Sequence, residues 1–449
     1  MELFGSSGIR GVVGEQLTPT FVARVAAAAG SVWDADRVAL GRDTRTSGEM
    51  FTDAAASGLA SVGVDVDRLG VVPTPAITRY CEVETIPGVI VTASHNPPEY
   101  NGIKLVGDDG VELTVDRLER IEDCLLSESA AQVAWDRIGD TRQIESANED
   151  YVGELLARID RERIADAELT VALDPGHGAG SLTSPEFFRE LGCRVVTVNA
   201  TPDGHFPGRD PEPVAENLAD LGRLVRAADA DVGVAHDGDA DRAIFFDERG
   251  EYIDGSASLA ALAAAELDAE DTTVAAVNVS QRLVDVVKRA DATLELTPIG
   301  STNIITRIRD LRASGASVPI AGESNGGIFF PAHRLVRDGA YVAGKFLELI
   351  ADRPASEVIA PHADYATDRR NPTYESESSR DAMMAAAEAF ATEADATLDT
   401  TDGYRLDYGD AWVLVRPSGT EPKIRIYAEA RSQERATDLA DAVQSAVDA

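Results

Sequence analysis

The sequence predicts an α/β protein: three related α/β domains followed by a smaller C-terminal α+β domain. Three observations carry that prediction. A chain of 449 residues is too long for one core, and the usual domain size divides it into about three or four. Short apolar runs ending in glycine-bearing polar loops, each followed by helical patterning, recur in three successive series. After about residue 372 the grammar changes to a helix, several closely spaced strands and a terminal helix, which suits antiparallel neighbours.

The first series opens on Gly5-Ser6-Ser7-Gly8-Ile9-Arg10-Gly11, read as a flexible loop ending in an arginine. Thr18-Pro19 then caps a helix to about Ala29, with Thr at N-cap and Pro at N1. Arg37 to Leu40 reads as a strand, followed by an arginine-bearing loop (41–48) and a helix to about Val62. That loop could hold an anion, but an Arg-Asp network closing a βα turn is the better reading. Pro87 to Val91 is a buried strand bounded by Pro-Gly. It delivers the loop Thr92-Ala93-Ser94-His95-Asn96-Pro97-Pro98-Glu99-Tyr100-Asn101-Gly102-Ile103-Lys104, which two prolines and an Asn-Gly pair keep out of helix and strand. Ser94 thus sits at the carboxyl end of a strand, where open α/β sheets place ligands. A serine in a stiff loop with Lys104 nearby suits a nucleophile or phosphate carrier; seen alone, it reads equally as a polar turn. A helix near Val115 to Leu126 and a polar connector, Asp136 to Glu149, complete the series.

The second series begins with a strand at Glu168 to Asp174. Its loop, Pro175 to Ser181, has GxGxG rather than GxGxxG spacing, and no acidic residue ends the next strand, Arg194 to Val198. It reads as a tight turn with His177 a turn residue. Strand Asp231 to His236 runs into Asp237-Gly238-Asp239-Ala240-Asp241-Arg242, and Ala243 to Phe246 is a further strand. Three carboxylates at i, i+2 and i+4 in a glycine-bearing turn can converge on one hard cation such as Mg²⁺. An EF-hand is excluded by Arg242 where glycine is needed and by flanking strands. His236 reads as structural.

The third series spans about Gly255 to Ala360: a helix near Ser258 to Leu267, strand Thr273 to Asn278, a helix from Gln281 and strand Ala292 to Leu296. Strand Val318 to Ala321 then enters Gly322-Glu323-Ser324-Asn325-Gly326-Gly327, where a carboxylate and an amide could hold vicinal sugar hydroxyls. Arg337-Asp338-Gly339-Ala340 starts the closing helix, and a loose stretch follows, about Ala351 to Pro372. In the last unit, between two strands, Arg416-Pro417-Ser418-Gly419-Thr420-Glu421-Pro422-Lys423 makes a compact phosphate cradle of arginine, hydroxyls, exposed backbone N–H and lysine.

The net charge of −37 argues against nucleic acid and anionic membrane as partners. Only four residues are lysine, namely 104, 288, 345 and 423. An acidic, lysine-poor surface suits a halophile, where salt screens self-repulsion. No run approaches the roughly 20 apolar residues that span a bilayer, and Met1 to Gly5 lacks a signal-peptide pattern. Cys81, Cys124 and Cys193 share no CxxC spacing, which points to core thiols in a reducing cytoplasm.

In order along the chain, T-A-S-H-N-P-x-x-x-N-G-x-K, D-G-D-A-D-R, G-E-S-N-G-G and R-P-S-G-T-E-P resemble the motifs of the α-D-phosphohexomutase family. The opening F-G-S-S-G-I-R-G and the R-D-G-A helix fit its archaeal-type phosphoglucosamine mutase and phosphomannomutase members. The resemblance covers essentially the whole chain. It implies four domains around a central cleft, expected at 1–140, 150–250, 251–360 and 365–449. It implies that Ser94 carries a phosphoryl group and that Asp237, Asp239 and Asp241, with a phosphoserine oxygen, hold one Mg²⁺ per chain. Lys104, Arg10 and Arg242 would assist at the reacting phosphate, Lys104 as the acid/base group. Glu323 and Asn325 would select sugar hydroxyls, while Arg416, Ser418, Gly419 and Thr420 grip the other phosphate. The partner would be a small sugar phosphate, turned over through a hexose 1,6-bisphosphate by a cytoplasmic monomer or homodimer. Glucosamine phosphate is the favoured sugar, ahead of mannose or glucose phosphate. One departure stands out: many members end the sugar loop in histidine, and here the residue is Gly327.

Two other classes share some features. An Asp-nucleophile phosphatase also has D-x-D after an apolar strand, but it calls for Thr or Val two residues beyond the second aspartate, where Asp241 stands. A non-catalytic cation- or sugar-binding protein would bind ligand without converting it.

Overall fold

The computed structural model describes residues 4, 8–418 and 422–448. It divides into two compact units, Met1–Ser258 with Asn325–Val358, and Leu259–Ser324 with Ile359–Ala449.

The first unit contains two mixed sheets. One has six strands in the order Ile9–Val12, Tyr100–Val106, Gly88–Val91, Arg37–Arg42, Asp65–Val71 and Thr141–Gln143. Gly88–Val91, Arg37–Arg42 and Asp65–Val71 run parallel in its middle, and all four residues of Gly88–Val91 are buried. That double burial explains the unbroken apolar run in the sequence. The helix Pro19–Trp33 covers one face with Val22, Val25, Ala26, Ala28 and Ala29, and Thr18 caps it by accepting from the Phe21 N–H. The second sheet orders its strands Tyr252–Ile253, Ile244–Phe246, Val232–Ala235, Thr170–Asp174 and Arg194–Thr197. Here too the strand bearing the acidic loop, Val232–Ala235, lies parallel to its neighbour Thr170–Asp174. Both motif loops therefore leave the carboxyl ends of parallel strands, where the pattern placed them. A short hairpin, Ile328–Phe330 with Arg334–Arg337, leads into the helix Gly339–Ile350, capped by Asp338.

In the second unit Thr293–Thr297, Thr272–Ala276 and Ala321–Gly322 run parallel, Thr272–Ala276 in the middle. A separate, wholly antiparallel sheet joins Ala366–Arg370, Ile424–Ala430, Ala411–Pro417, Tyr404–Asp407 and Thr397–Asp399. Helices Glu377–Glu393 and Gln433–Val447 supply its core residues Ala387, Ala391, Leu439 and Val443. This is the α+β grammar read from the sequence.

Several expectations need correction. Arg10 lies on a strand, Ile9–Val12, paired antiparallel with Tyr100–Val106, and not in a flexible loop. The same pairing turns the end of the serine loop into strand, so Asn101-Gly102 is no turn and Lys104 stands in mid-strand. The connector at 136–149 contributes an edge strand, Thr141–Gln143. The stretch at 351–372 holds a short helix, Ala355–Ile359, and the strand Ala366–Arg370. The strand expected at 318–321 is only Ala321–Gly322. Ile9–Val12, Thr141–Gln143 and Ala366–Arg370 are edge strands that draw their order from a distant partner, so little of it is written locally. No described helix is long and apolar enough to cross a membrane. The three cysteines are free, with Cys81 and Cys193 buried, as core thiols should be.

Candidate active site

Ser94 is fully buried and adopts a left-handed backbone, φ 51°. For a residue with a Cβ that conformation costs about 1–3 kcal/mol and persists only when neighbours over-determine it. The neighbours are identifiable. Thr92 Oγ1 accepts from the Ser94 N–H (2.8 Å) and donates to Asp43 Oδ2 (2.6 Å). Arg45 donates to four carbonyls of the same loop, those of Ser94 (2.9 Å), Asn96 (2.6 Å), Pro97 (2.6 Å) and Tyr100 (2.9 Å). Its Nε bonds Asp43 Oδ2 at 3.0 Å, so all five guanidinium N–H groups are used. The arginine loop at 41–48 is thus the Arg-Asp network expected, and what it braces is the serine.

The Ser94 hydroxyl donates to Asp237 Oδ2 at 2.7 Å. This hydrogen bond joins the two motif loops, 143 residues apart in sequence. Close approach depends on Gly238, where a Cβ would lie 2.6 Å from the Ser94 carbonyl oxygen. Asp237, Asp239 and Asp241 are buried, and one oxygen from each lies within 4.8 Å of the others. Asp239 accepts from Thr74 Oγ1 (2.7 Å) and Lys104 Nζ (3.0 Å). Asp241 Oδ2 accepts from Arg337 (2.6 Å), with Lys104 at 3.4 Å. Among the described residues Asp239 Oδ1 and Asp241 Oδ1 have no hydrogen-bond partner, the nearest cation to Asp241 Oδ1 being Arg242 Nε at 3.9 Å. Buried carboxylate oxygens without partners are costly unless something positive completes them, and a hard cation suits that donor set.

The electrostatics follow from this packing. Burial, then the charges of Asp241 and Asp239, push Asp237 up to about 7. Burial acts the same way on Asp239, but Lys104 and the Thr74 hydrogen bond outweigh it and hold that carboxyl well below the usual range. For Lys104, burial favours the neutral amine while Asp239 and Asp241 favour the ammonium, and the carboxylates win. Arg10, bonded to Asn96 Oδ1 at 2.9 Å, is lowered by burial and supported by Asp239 and Asp241. Among the described residues the cluster sets Lys104, Arg10, Arg242 and Arg337 around three carboxylates. In a chain of net charge −37 this is a cluster with one more cationic side chain than carboxylates, suited to an anion such as phosphate.

Three residues of the cluster escaped the sequence reading. His95 Nδ1 accepts from Arg242 Nη2 at 2.9 Å and lies 3.3 Å from Ser94 Oγ. A guanidinium only donates, so the imidazole proton is on Nε2. Arg242, and after it burial, keeps this ring neutral far below its ordinary titration range. Arg45 was read only as closing its own turn. Arg337 had been assigned only to a helix start. It occupies the space beside Gly327, where a Cβ would fall 2.6 Å from Arg337 Cδ. A larger residue at 327 would therefore have to displace the very arginine that holds Asp241. No local signal in the sequence pointed to any of the three.

Other assignments divide between the units. Asn325, in the first, spends Oδ1 on the Gly327 N–H (3.0 Å), so its amide nitrogen is what it can offer a ligand. Glu323, Arg416 and Ser418 belong to the second unit. Arg416 ends the strand Ala411–Pro417 and is bonded to Asp402, while the Ser418 N–H donates to the Lys423 carbonyl at 2.9 Å. Gly419 and Thr420 lie outside the described residues. His177 is a turn residue with φ 58°. His236 is structural: its Nδ1 donates to the Arg242 carbonyl (2.8 Å) and its Nε2 meets Ser184 Oγ (3.0 Å).

Four family models match the chain. They describe phosphoglucomutase/phosphomannomutase domain I (residues 1–132), domain II (149–250), domain III (254–365) and the C-terminal domain (375–446). A Thermococcus kodakarensis protein named "Phosphoglucomutase/phosphomannomutase" is 41% identical, aligned over 97% of this chain and 96% of its own length. A Methanopyrus kandleri protein named "Probable phosphoglucosamine mutase" is 39% identical over 98% of this chain and 96% of its own. Among solved structures, a phosphoglucomutase/phosphomannomutase family protein from Burkholderia thailandensis superposes with TM-score 0.85 at 26% identity, covering 99% of this chain and 96% of that one.

Proposed function

The chain belongs to the phosphoglucomutase/phosphomannomutase family, the α-D-phosphohexomutases, and is a mutase-type enzyme with that family's four-domain architecture. On that premise we propose that it interconverts a hexose 6-phosphate and its 1-phosphate through phosphorylated Ser94, with glucosamine phosphate as the preferred substrate. The supporting observation is the buried 2.7 Å hydrogen bond from Ser94 Oγ to Asp237, inside a pocket of three carboxylates and four cationic side chains.

The phosphoryl group on Ser94 Oγ passes to the free hydroxyl of the bound sugar phosphate. The Ser94 O–P bond breaks and a new bond forms from phosphorus to the substrate oxygen; the departing Ser94 Oγ takes a proton from Lys104, and the proton the substrate hydroxyl gives up restores the Lys104 ammonium. The resulting 1,6-bisphosphate turns over, and its other phosphoryl group returns to Ser94, restoring the enzyme. Arg10 and Arg242 stabilise charge on the transferring group by position alone. Lys104 is the acid/base group. Held as an ammonium by Asp239 and Asp241, it acts first as the acid and accepts a proton only as the neutral amine left after donating its own. Neutral His95 fixes Arg242 against the serine loop.

Asp237, Asp239 and Asp241, with an oxygen of phosphorylated Ser94, would hold one Mg²⁺, and the two carboxylate oxygens that lack a hydrogen bond among the described residues fit that role. When bound, the ion would neutralise charge developing on the phosphoryl group. In this reading Glu323 and Asn325 choose the sugar hydroxyls, and Arg416, Ser418, Gly419 and Thr420 hold the phosphate that is not reacting. Domain limits at 1–140, 150–250, 251–360 and 365–449, a monomer or homodimer, and a salt-rich cytoplasm belong to the same proposal.

The test is kinetic. Glucosamine 6-phosphate, mannose 1-phosphate and glucose 1-phosphate are compared with Mg²⁺ in high salt. The highest kcat/KM is expected for the glucosamine substrate, and a clear preference for either of the others would overturn that choice. The second reading, a phosphomannomutase/phosphoglucomutase, is favoured by the name of the 41% identical relative.

A further inference from the structure

Within the second unit the orientation of Arg416 is imposed by one carboxylate. Arg416 Nε donates to Asp402 Oδ1 at 3.1 Å, and Asp402 Oδ2 accepts from the Ile299 N–H, also at 3.1 Å. Asp402 therefore ties the arginine at the end of strand Ala411–Pro417 to the loop between strand Thr293–Thr297 and helix Ser301–Ala313. Gly403 makes the approach possible. It has φ 84°, and a Cβ there would lie 2.3 Å from the Val415 carbonyl oxygen and 2.6 Å from Arg416 Cβ. Two residues on, buried Arg405 donates to the carbonyls of Val277 and Val279 and lies over the Trp412 ring. The Asp402–Arg405 segment is thus anchored at both ends.

We propose that Asp402 is a positioning residue for phosphate recognition. By holding Nε it sets the plane of the Arg416 guanidinium and turns the Nη1–Nη2 edge, a fork of two parallel donors, toward one phosphate of the substrate. This rests on the reading of Arg416 as a phosphate ligand. Charge alone predicts the opposite effect: an aspartate beside an anion site repels the anion, so removing it would tighten binding if it did no orienting.

The experiment measures KM and kcat for the best hexose phosphate substrate in Asp402→Ala, Asp402→Asn, Arg416→Ala and the Asp402→Ala/Arg416→Ala double variant. Asp402→Ala is expected to raise KM about tenfold, the scale of one charge-assisted hydrogen bond, with kcat within about threefold of wild type. Asp402→Asn should fall between, and it carries the test if the alanine variant does not fold. In the Arg416→Ala background, Asp402→Ala should change KM by less than about twofold, because the residue it orients is gone. If Arg416→Ala raises KM and Asp402→Ala leaves it unchanged or lowers it, the proposal is overturned. An equal rise from Asp402→Ala with and without Arg416 also overturns it, by showing a general structural role. No KM effect from Arg416→Ala would instead overturn the underlying reading of the cradle.

Discussion

Replacing Arg45 with lysine tests whether the serine is held in place from outside its own motif. Arg45 is 1% exposed and places five N–H groups on Asp43 and on the carbonyls of Ser94, Asn96, Pro97 and Tyr100. An ammonium has three, so at least two charge-assisted bonds are lost, each with a net value of about 1.5–3 kcal/mol. Keeping the charge beside Asp43 avoids the larger cost of an unpaired buried carboxylate. A destabilisation of about 3–6 kcal/mol is therefore expected, lowering the first thermal transition by roughly 6–24 °C. The catalytic effect follows from backbone strain. Ser94 is held at φ 51°, and once the clamp loosens it can relax by about 1–3 kcal/mol into an unproductive geometry. That corresponds to a fall in kcat of roughly fivefold to 150-fold, with KM changed by less than about threefold. Steady-state kinetics well below the melting transition, together with calorimetry, reads both quantities. A variant that melts early but turns over at the wild-type rate would refute the claim that Arg45 sets the serine geometry.

Other outcomes follow from the same geometry. Arg337→Met frees Asp241 from a cation at 2.6 Å, so Mg²⁺ titrated calorimetrically should bind several-fold more tightly while turnover falls; weaker binding would show that Arg337 does not compete for that carboxylate. Gly327→Ala forces a Cβ to within 2.6 Å of Arg337 Cδ, and the overpacking should cost about 1–3 kcal/mol and lower kcat. An alanine variant with wild-type stability and rate would contradict the steric argument. Added Mg²⁺ at about a hundred times its Kd should stabilise the protein by about 2.7 kcal/mol, read as a rise in Tm that Asp239→Asn abolishes. An undiminished rise in that variant would place the ion elsewhere.

The legible part of this protein was the part written in contiguous residues. Asp237, Asp239 and Asp241 converge because a turn brings i, i+2 and i+4 together, and Ser94 stands out because prolines and a buried strand fix its loop. The long, strongly patterned elements were also legible, the helix Val115–Leu126 among them. What the chain hid depends on contacts made far along it. Arg45 reaches a carbonyl 55 residues away, Arg337 meets Asp241 from 96 residues away, and His95 receives its proton donor from Arg242. An arginine in a short polar loop looks the same in sequence whether it faces water or braces a buried serine. The strands Ile9–Val12 and Ala366–Arg370 were missed for a related reason: each is an edge strand, ordered by a partner remote in sequence.

The measurement closest to the central claim is the site of covalent labelling. The protein is incubated with a hexose 1,6-bisphosphate carrying radiolabelled phosphate, digested, and mapped by tandem mass spectrometry. The account predicts label on Ser94 that survives hydroxylamine and is absent from Ser94→Ala, whose turnover falls by orders of magnitude. Label on Asp237 that hydroxylamine releases, or a Ser94→Ala variant as active as wild type, would contradict it.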